Sequence, residues 1–175
     1  VHNFTPATWK TLGFTWRETL PQLKTKFAKA SSEAELKEAL SNFQNNLHNP
    51  HGEFKPEGKG QYLTNSLQMA VEWKAGKPQF YIDAILDESL REKVAEGDIV
   101  VSIDSVPADE ILKTHHQLSN GNNWFSIANG ITRALSRVRN DISHYSEGDK
   151  MRWVIKRRES SETVSVESQL VVKPT

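Results

Sequence analysis

The 175-residue sequence has no cysteine, no long apolar segment and no excess of charge of either sign. The absence of cysteine excludes disulfide bonds and thiolate metal sites. No apolar run is long enough to cross a bilayer as a helix, so we expect no transmembrane segment. Lysine plus arginine and aspartate plus glutamate each number 22, so no net field attracts nucleic acid. We therefore predict no nucleic-acid partner.

The composition is that of a globular protein, with 37% hydrophobic and 25% charged residues. A chain of this length forms one large domain or two small ones with a sizeable core. It begins with valine and carries no signal peptide. We therefore expect a piece of a longer protein, and the lack of cysteine mildly favours an exported bacterial one.

The first third has helical periodicity. Two capping boxes, Thr15 to Glu18 and Ser32 to Glu35, each precede apolar residues at helical spacing. The pattern predicts a helical hairpin over about residues 15–47. A segment rich in proline, glycine and charge then forms a connector over residues 48–61.

The hydrophobic period changes near residue 60. Leu67, Met69, Val71 and Trp73 alternate with polar residues, which indicates a half-buried strand. A turn at residues 74–77 and renewed alternation predict a hairpin.

The most informative segment runs from Glu96 to Pro107, with the sequence EGDIVVSIDSVP. Gly97 permits a turn that a Cβ would resist, and Asp98 can accept hydrogen bonds from nearby backbone amides. A β-branched strand follows, and it ends at a second turn, Asp104-Ser105. Helices are then predicted over 108–118 and 124–139, followed by strands around 151–155 and 164–172.

The Glu96–Pro107 segment resembles the core of bacterial PDZ domains. Residues 47–54 (LHNPHGEF) and 148–158 (GDKMRWVIKRR) are also similar to strings in the carboxyl-terminal-processing, or tail-specific, serine peptidases. The resemblance covers nearly the whole chain and matches the amino-terminal helical region plus PDZ domain of that family. It implies an α+β fold, with a helical hairpin and connector over residues 1–60. A PDZ-like partly open β-barrel with an enlarged helical insertion follows over residues 61–175.

PDZ domains bind extended peptides by adding them to a sheet edge, so the resemblance implies an extended peptide or unfolded protein as partner. The groove would lie between the 67–72 strand and the 124–139 helix. We expect weak binding of apolar C-terminal peptides there, because Leu63–Leu67 replaces the family's glycine-rich carboxylate-binding loop. The alternative is that the apolar residues of this set are closed core. The predicted peptide-binding residues are Asn65, Ser66, Leu67, Met69, Val71, Trp124, Ile127, Ala128 and Ile131.

No catalytic residue is predicted. In the resembled family a serine and a lysine catalyse hydrolysis in a domain that would follow Thr175, and that domain would be a partner within the same protein. Ser31 and Ser32 are better explained as helix caps. His48 and His51 flank a proline without further ligands, so we predict no metal site and no cofactor.

Two function classes follow. One is the peptide-binding and regulatory portion of a serine-type peptidase, exported to a bacterial periplasm or cell envelope. The other is a non-catalytic PDZ scaffold or interaction module. A self-contained hydrolase is a third and weaker possibility.

Overall fold

The computed structural model describes residues 10, 16–48, 61–139 and 145–172. Helices over Trp16–Lys29 and Glu33–Asn46 precede a curled antiparallel sheet, which confirms the predicted α+β class with a PDZ-like partly open barrel. The predicted domain boundary between residues 60 and 61 borders the undescribed residues 49–60, so it stays a prediction. Thr15, His51 and most of the connector also lie outside the described residues.

Helices α1 (Trp16–Lys29) and α2 (Glu33–Asn46) pack together, with the rings of Phe27 and Phe43 edge to face at a centroid distance of 6.4 Å. Ser32 caps α2 by accepting the Glu35 backbone N–H at 3.2 Å. The Glu35 carboxylate accepts the backbone N–H and the hydroxyl of Ser31, and a weaker backbone hydrogen bond from Ser32, so the reciprocal half of the capping box is shared with Ser31.

The predicted apolar stripe of α2 is also only partly correct. Leu36 is 43% exposed, whereas α2 buries Ala39, Asn42 and Asn46. The reason is that α2 packs against α1 on one side and against a polar helical segment of the sheet domain on another.

The described residues contain eight strands in one sheet, in the order β2-β3-β4-β7-β8-β1-β6, with β5 paired to β4. The strands are β1 (Tyr62–Asn65), β2 (Leu67–Lys74), β3 (Lys77–Ile85), β4 (Ile99–Ile103), β5 (Val106–Pro107), β6 (Arg137–Arg139), β7 (Lys150–Lys156) and β8 (Thr163–Val172).

The turns follow the residue types. Ala75 and Gly76 have φ of 49° and 77° and close the β2–β3 hairpin with the two-residue turn that suits twisted strands. Asp98 is buried and accepts the backbone N–H groups of Ala95 and Arg158, both at 2.9 Å. The predicted Gly-Asp turn thereby ties the start of β4 to the end of β7.

Two predicted elements are corrected. The helix predicted to reach residue 139 ends at Ser136, because the next three residues form β6 and pair with β1. Residues Leu63–Asn65, taken as a loop replacing the carboxylate-binding loop, are strand β1, which pairs with both β6 and β8. Ser66 is the single residue between β1 and β2, where the chain changes pairing partners.

Between β5 and β6 the chain forms α3 (Ile111–His115), a 3₁₀ turn (His116–Leu118) and α4 (Trp124–Ser136). Asn123 caps α4 in a full capping box with Ser126. Gly130 of α4 packs so closely on the preceding loop that a Cβ would lie 2.0 Å from the Ser119 Oγ. The loop and α4 are therefore one packed unit.

The core lies between the concave face of the sheet and α4. Trp153 is its largest fully buried side chain, and its indole N–H donates to the Ser168 hydroxyl at 2.6 Å. Within the described residues, no helix is long and apolar enough to span a membrane.

Candidate functional site

Strand β2 is one of the two ends of the strand order, and α4 packs against it. The helix runs antiparallel to the strand. Its last residue, Ser136, contacts Met69 near the start of β2, whereas its first residue, Trp124, shares a cavity with Trp73 near the end. The space between these two elements is the β2–α4 groove.

The register of the β2–β3 hairpin determines which backbone groups of β2 face the groove. Lys74 and Lys77 flank the two-residue turn and form a hydrogen-bonded pair, and such pairs alternate with non-hydrogen-bonded ones along antiparallel strands. Met69, Val71 and Trp73 are therefore the residues whose N–H and C=O groups point away from β3. Pro78, which has no N–H, lies opposite Trp73, as this pattern requires.

Residues 66–69 form the closed end of the groove. The Leu67 N–H donates to the Asn65 side-chain oxygen at 3.0 Å, and the Met69 N–H donates to the Ser136 hydroxyl at 3.2 Å. The Ser66 N–H donates to the Gln169 carbonyl at 3.0 Å. These three amides are thus satisfied inside the fold.

Residues 71–74 form the open end of the groove. A cavity of about 770 Å³ lies between the end of the β2–β3 hairpin, α3 and the start of α4. Its volume is within the usual range for ligand sites. The apolar and aromatic side chains that line it are Trp73, Pro78, Phe80, Ile99, Val100, Ala108, Leu112 and Trp124.

Charged residues stand around the cavity in both signs. Lys74 pairs with Glu72 at 2.7 Å and Lys113 pairs with Glu110 at 3.0 Å. Exposed pairs of this kind contribute little energy. The cavity therefore has a mainly apolar lining with no strong net charge at its rim.

The side chain of Trp73, which lines this cavity, has a buried polar atom without a partner in the described part of the chain. The indole Nε1 of Trp73 is buried and donates no hydrogen bond within the described part of the chain. A buried donor without an acceptor costs about 1–3 kcal/mol. By contrast, the Trp153 indole in the core is paired.

The structure places the nine predicted peptide-binding residues in two groups. Val71 and Trp124 are half-buried at the open end. The other seven are at most 5% exposed and pack in the interior: Asn65, Ser66, Leu67, Met69, Ile127, Ala128 and Ile131. Their part in peptide binding stays a prediction.

Sequence reasoning missed the cavity because it placed Trp73 on the inner face of a half-buried strand, where a core side chain is expected. The alternation that led to this assignment correctly places Trp73 on the inner face. Its position beside the turn at residues 74–77 is the signal that it sits at the mouth of the barrel, where the core is incomplete.

A cluster of histidines joins the two helices to the sheet domain. His48 is 2% exposed, and its Nδ1 donates to the Gly121 carbonyl at 3.0 Å, beside the loop that leads into α4. Burial lowers the pKa of His48 to about 4 and also lowers the pKa values of His115 and His116. These side chains are therefore neutral at pH 7. No three His, Asp or Glu side chains of the described residues converge as metal ligands.

Comparison with known proteins gives structural matches only. No family profile and no curated protein matches the sequence. The crystal structure of mature CPAF matches with a TM-score of 0.60 at 20% identity, over 97% of this chain and 32% of that one. Mature CPAF complexed with lactacystin matches with a TM-score of 0.59 at 20% identity, over the same shares of the two chains.

The photosystem II D1 C-terminal processing protease is a weaker match, with a TM-score of 0.42 at 12% identity, over 93% of this chain and 39% of that one. The chain thus spans about a third of the length of the CPAF structures it matches. At this level of identity the match to CPAF establishes a shared fold.

Proposed function

We propose that this chain is the peptide-binding and regulatory portion of a serine-type peptidase, which presents extended polypeptides to a catalytic domain elsewhere in the protein. The observation that carries the proposal is the open end of the β2–α4 groove. Among the described residues, the strand edge there has no pairing partner, and it adjoins an apolar cavity.

The physical support is the way extended chains bind to sheets. Backbone hydrogen bonds to an edge strand supply affinity, and side-chain pockets beside the strand supply selectivity. Val71 and Trp73 offer outward N–H and C=O groups, and the cavity offers about 770 Å³ beside them.

Further support comes from the structural neighbours, which are proteases, and from the resemblance of residues 47–54, 96–107 and 148–158 to tail-specific peptidases. Because half of the edge is closed, we expect modest affinity, about 10–100 μM or about −6 kcal/mol.

A titration followed by NMR tests the proposal. The probe is an amphipathic decapeptide with a Val-Tyr-Val-Phe centre flanked by Ser and Lys. We expect shifts along β2 and α4, and slower hydrogen exchange at the Val71 and Trp73 amides. Glu72 and Ala70 serve as internal references, since the register already pairs them with β3.

A matched pair of variants locates the site. Val71→Lys places a charge on the open edge and should weaken peptide binding about tenfold. Val164→Lys makes the same change at a half-buried position on β8, away from the groove, and should leave binding unchanged. Equal loss in both variants would contradict the assignment.

The second candidate is a scaffold whose helices α1 and α2 bind another protein. The helices dock on the sheet domain through polar contacts such as Asn45 to the Gln117 carbonyl at 2.9 Å, which leaves other faces of the pair exposed. Peptide-induced shifts confined to α1 and α2 would favour this candidate.

The same proposal places the protein in a bacterial periplasm or cell envelope, in keeping with the resembled family and the absence of cysteine. Fractionation of the source cells tests this part. Recovery only with cytoplasmic proteins would contradict it.

A further inference from the structure

The backbone amides at the closed end have no capacity left for a terminal carboxylate. A site that captures a carboxylate needs converging N–H groups that are free to donate. The N–H groups of Ser66, Leu67 and Met69 already donate to the Gln169 carbonyl, the Asn65 side chain and the Ser136 hydroxyl.

The side chains at this end also fill the space. Leu67 is fully buried and Met69 is 5% exposed. The Gln68 amide group reaches across the edge to the Ser136 carbonyl at 3.2 Å. A chain added to β2 therefore cannot continue past Met69 and must leave the edge there.

The open end has space for a side chain of a bound peptide. The cavity of about 770 Å³ is lined by Trp73 and Trp124 together with aliphatic side chains such as Leu112. These aromatic and aliphatic walls would accept a large apolar side chain.

We infer that the β2–α4 groove recognises an internal segment of an extended polypeptide, with a large apolar side chain in the Trp73–Trp124 cavity. This inference rests on the proposed function and specifies its substrate class. Pairing is restricted to residues 71–74, and recognition does not require a free carboxyl terminus.

The test compares two forms of the decapeptide with the Val-Tyr-Val-Phe centre, both added to the whole chain. One is acetylated at its amino terminus and amidated at its carboxyl terminus. The other stops at the phenylalanine, which carries a free carboxylate. We expect the capped peptide to bind within about twofold of the free one. A loss of tenfold or more on capping, with shifts at Asn65–Leu67, would overturn the inference.

The indole resonances provide an internal control. On binding of the capped peptide, the Trp73 N–H signal should shift because its ring lines the cavity, whereas the Trp153 N–H signal, from a ring buried in the core and bonded to Ser168, should stay in place. Trp73→Ala removes a wall of the cavity, so we expect about three- to tenfold weaker binding of the capped peptide. Unchanged affinity in this variant would also overturn the inference.

The outcomes separate the two levels of proposal. Binding at the groove that requires a free carboxylate leaves the proposed function standing and overturns the internal-segment inference. Absence of binding at β2 and α4 by either peptide overturns both.

Discussion

The two ends of the β2–α4 groove are built from the same strand and the same helix, yet their backbone amides differ in their hydrogen-bond partners. At the closed end, backbone amides bond to Asn65 and Ser136, and the apolar side chains are almost fully buried. At the open end, the edge groups of Val71 and Trp73 point away from β3, and half-buried side chains such as Trp73 line a cavity. The difference indicates that the closed end contributes stability, and under the proposed function the open end binds the peptide.

The largest expected effect is at the closed end. Leu67→Ala removes a fully buried side chain and should lower the free energy of unfolding by about 2–5 kcal/mol. Leu112→Ala at the open end removes a half-buried side chain that lines the cavity, and should cost about 1 kcal/mol. Urea unfolding of both variants measures the contrast. Equal losses of unfolding free energy in the two variants would contradict the distinction between the closed and the open end.

A pH dependence should follow from His48, which anchors the loop leading to the open end. Its pKa of about 4 in the folded protein lies below its ordinary value of 6.5, so the unfolded chain binds the proton more readily. The contribution of His48 to the free energy of unfolding is fully present above about pH 6.5. It is lost as the pH drops towards 4, by up to about 3 kcal/mol. The lowered pKa values of His115 and His116 act in the same direction.

Urea unfolding at several pH values, for the parent and His48→Gln, measures this contribution. The variant should be less stable at pH 7.5 and should show a shallower fall between pH 6.5 and 4. An equal slope in both proteins would assign the pH dependence to other groups. The Trp124 indole resonance should shift over the same interval if the loop loosens.

Gly130→Ala should disturb the contact between α4 and its preceding loop. The new Cβ would lie 2.0 Å from the Ser119 Oγ and 2.5 Å from its Cβ, and such overpacking costs about 1–3 kcal/mol. Alanine regains about 1 kcal/mol of helix propensity, so we expect a net loss of about 1 kcal/mol by thermal unfolding. Adding Ser119→Gly should restore much of the lost stability. If it does not, the strain does not come from the contact with Ser119.

The smallest expected effect comes from Ser136→Ala, which removes the acceptor of the Met69 N–H. We expect a loss of about 1 kcal/mol and faster hydrogen exchange at the Met69 amide. The exchange of the Val71 amide should not change, because that group already faces the open end. Faster exchange at both amides would mean that the two ends are not independent.

Much of the fold could be predicted from local pattern. The alternation of Leu67, Met69 and Trp73, the Gly97–Asp98 turn and the Ser32 cap all depend on residues close in sequence, and each appears in the structure. Here local backbone preference and the burial period agree, so short stretches of sequence specify the element.

Other features depended on contacts between distant residues. Arg137–Arg139 continue a helical pattern in sequence but pair with β1, more than 70 residues away. Asn65 and Ser66 look like loop residues, yet the Asn65 side-chain amide donates to the Met151 Sδ and the Ser66 hydroxyl accepts the Gln169 backbone N–H inside the fold. No local signal distinguishes these cases, because the partner that decides each one is brought in by the closure of the sheet.

The sequence by itself determined the helices and strands, including β2 and the apolar face of α4, through periodicity and turn chemistry, while the resemblance to PDZ domains made β2 the candidate edge strand. Only the tertiary structure decided that the groove is closed at Leu67 and open at Trp73. The reason is geometric: Ser136 reaches the Met69 amide at one end of α4, whereas at the other end the β2–β3 hairpin, α3 and Trp124 surround a cavity.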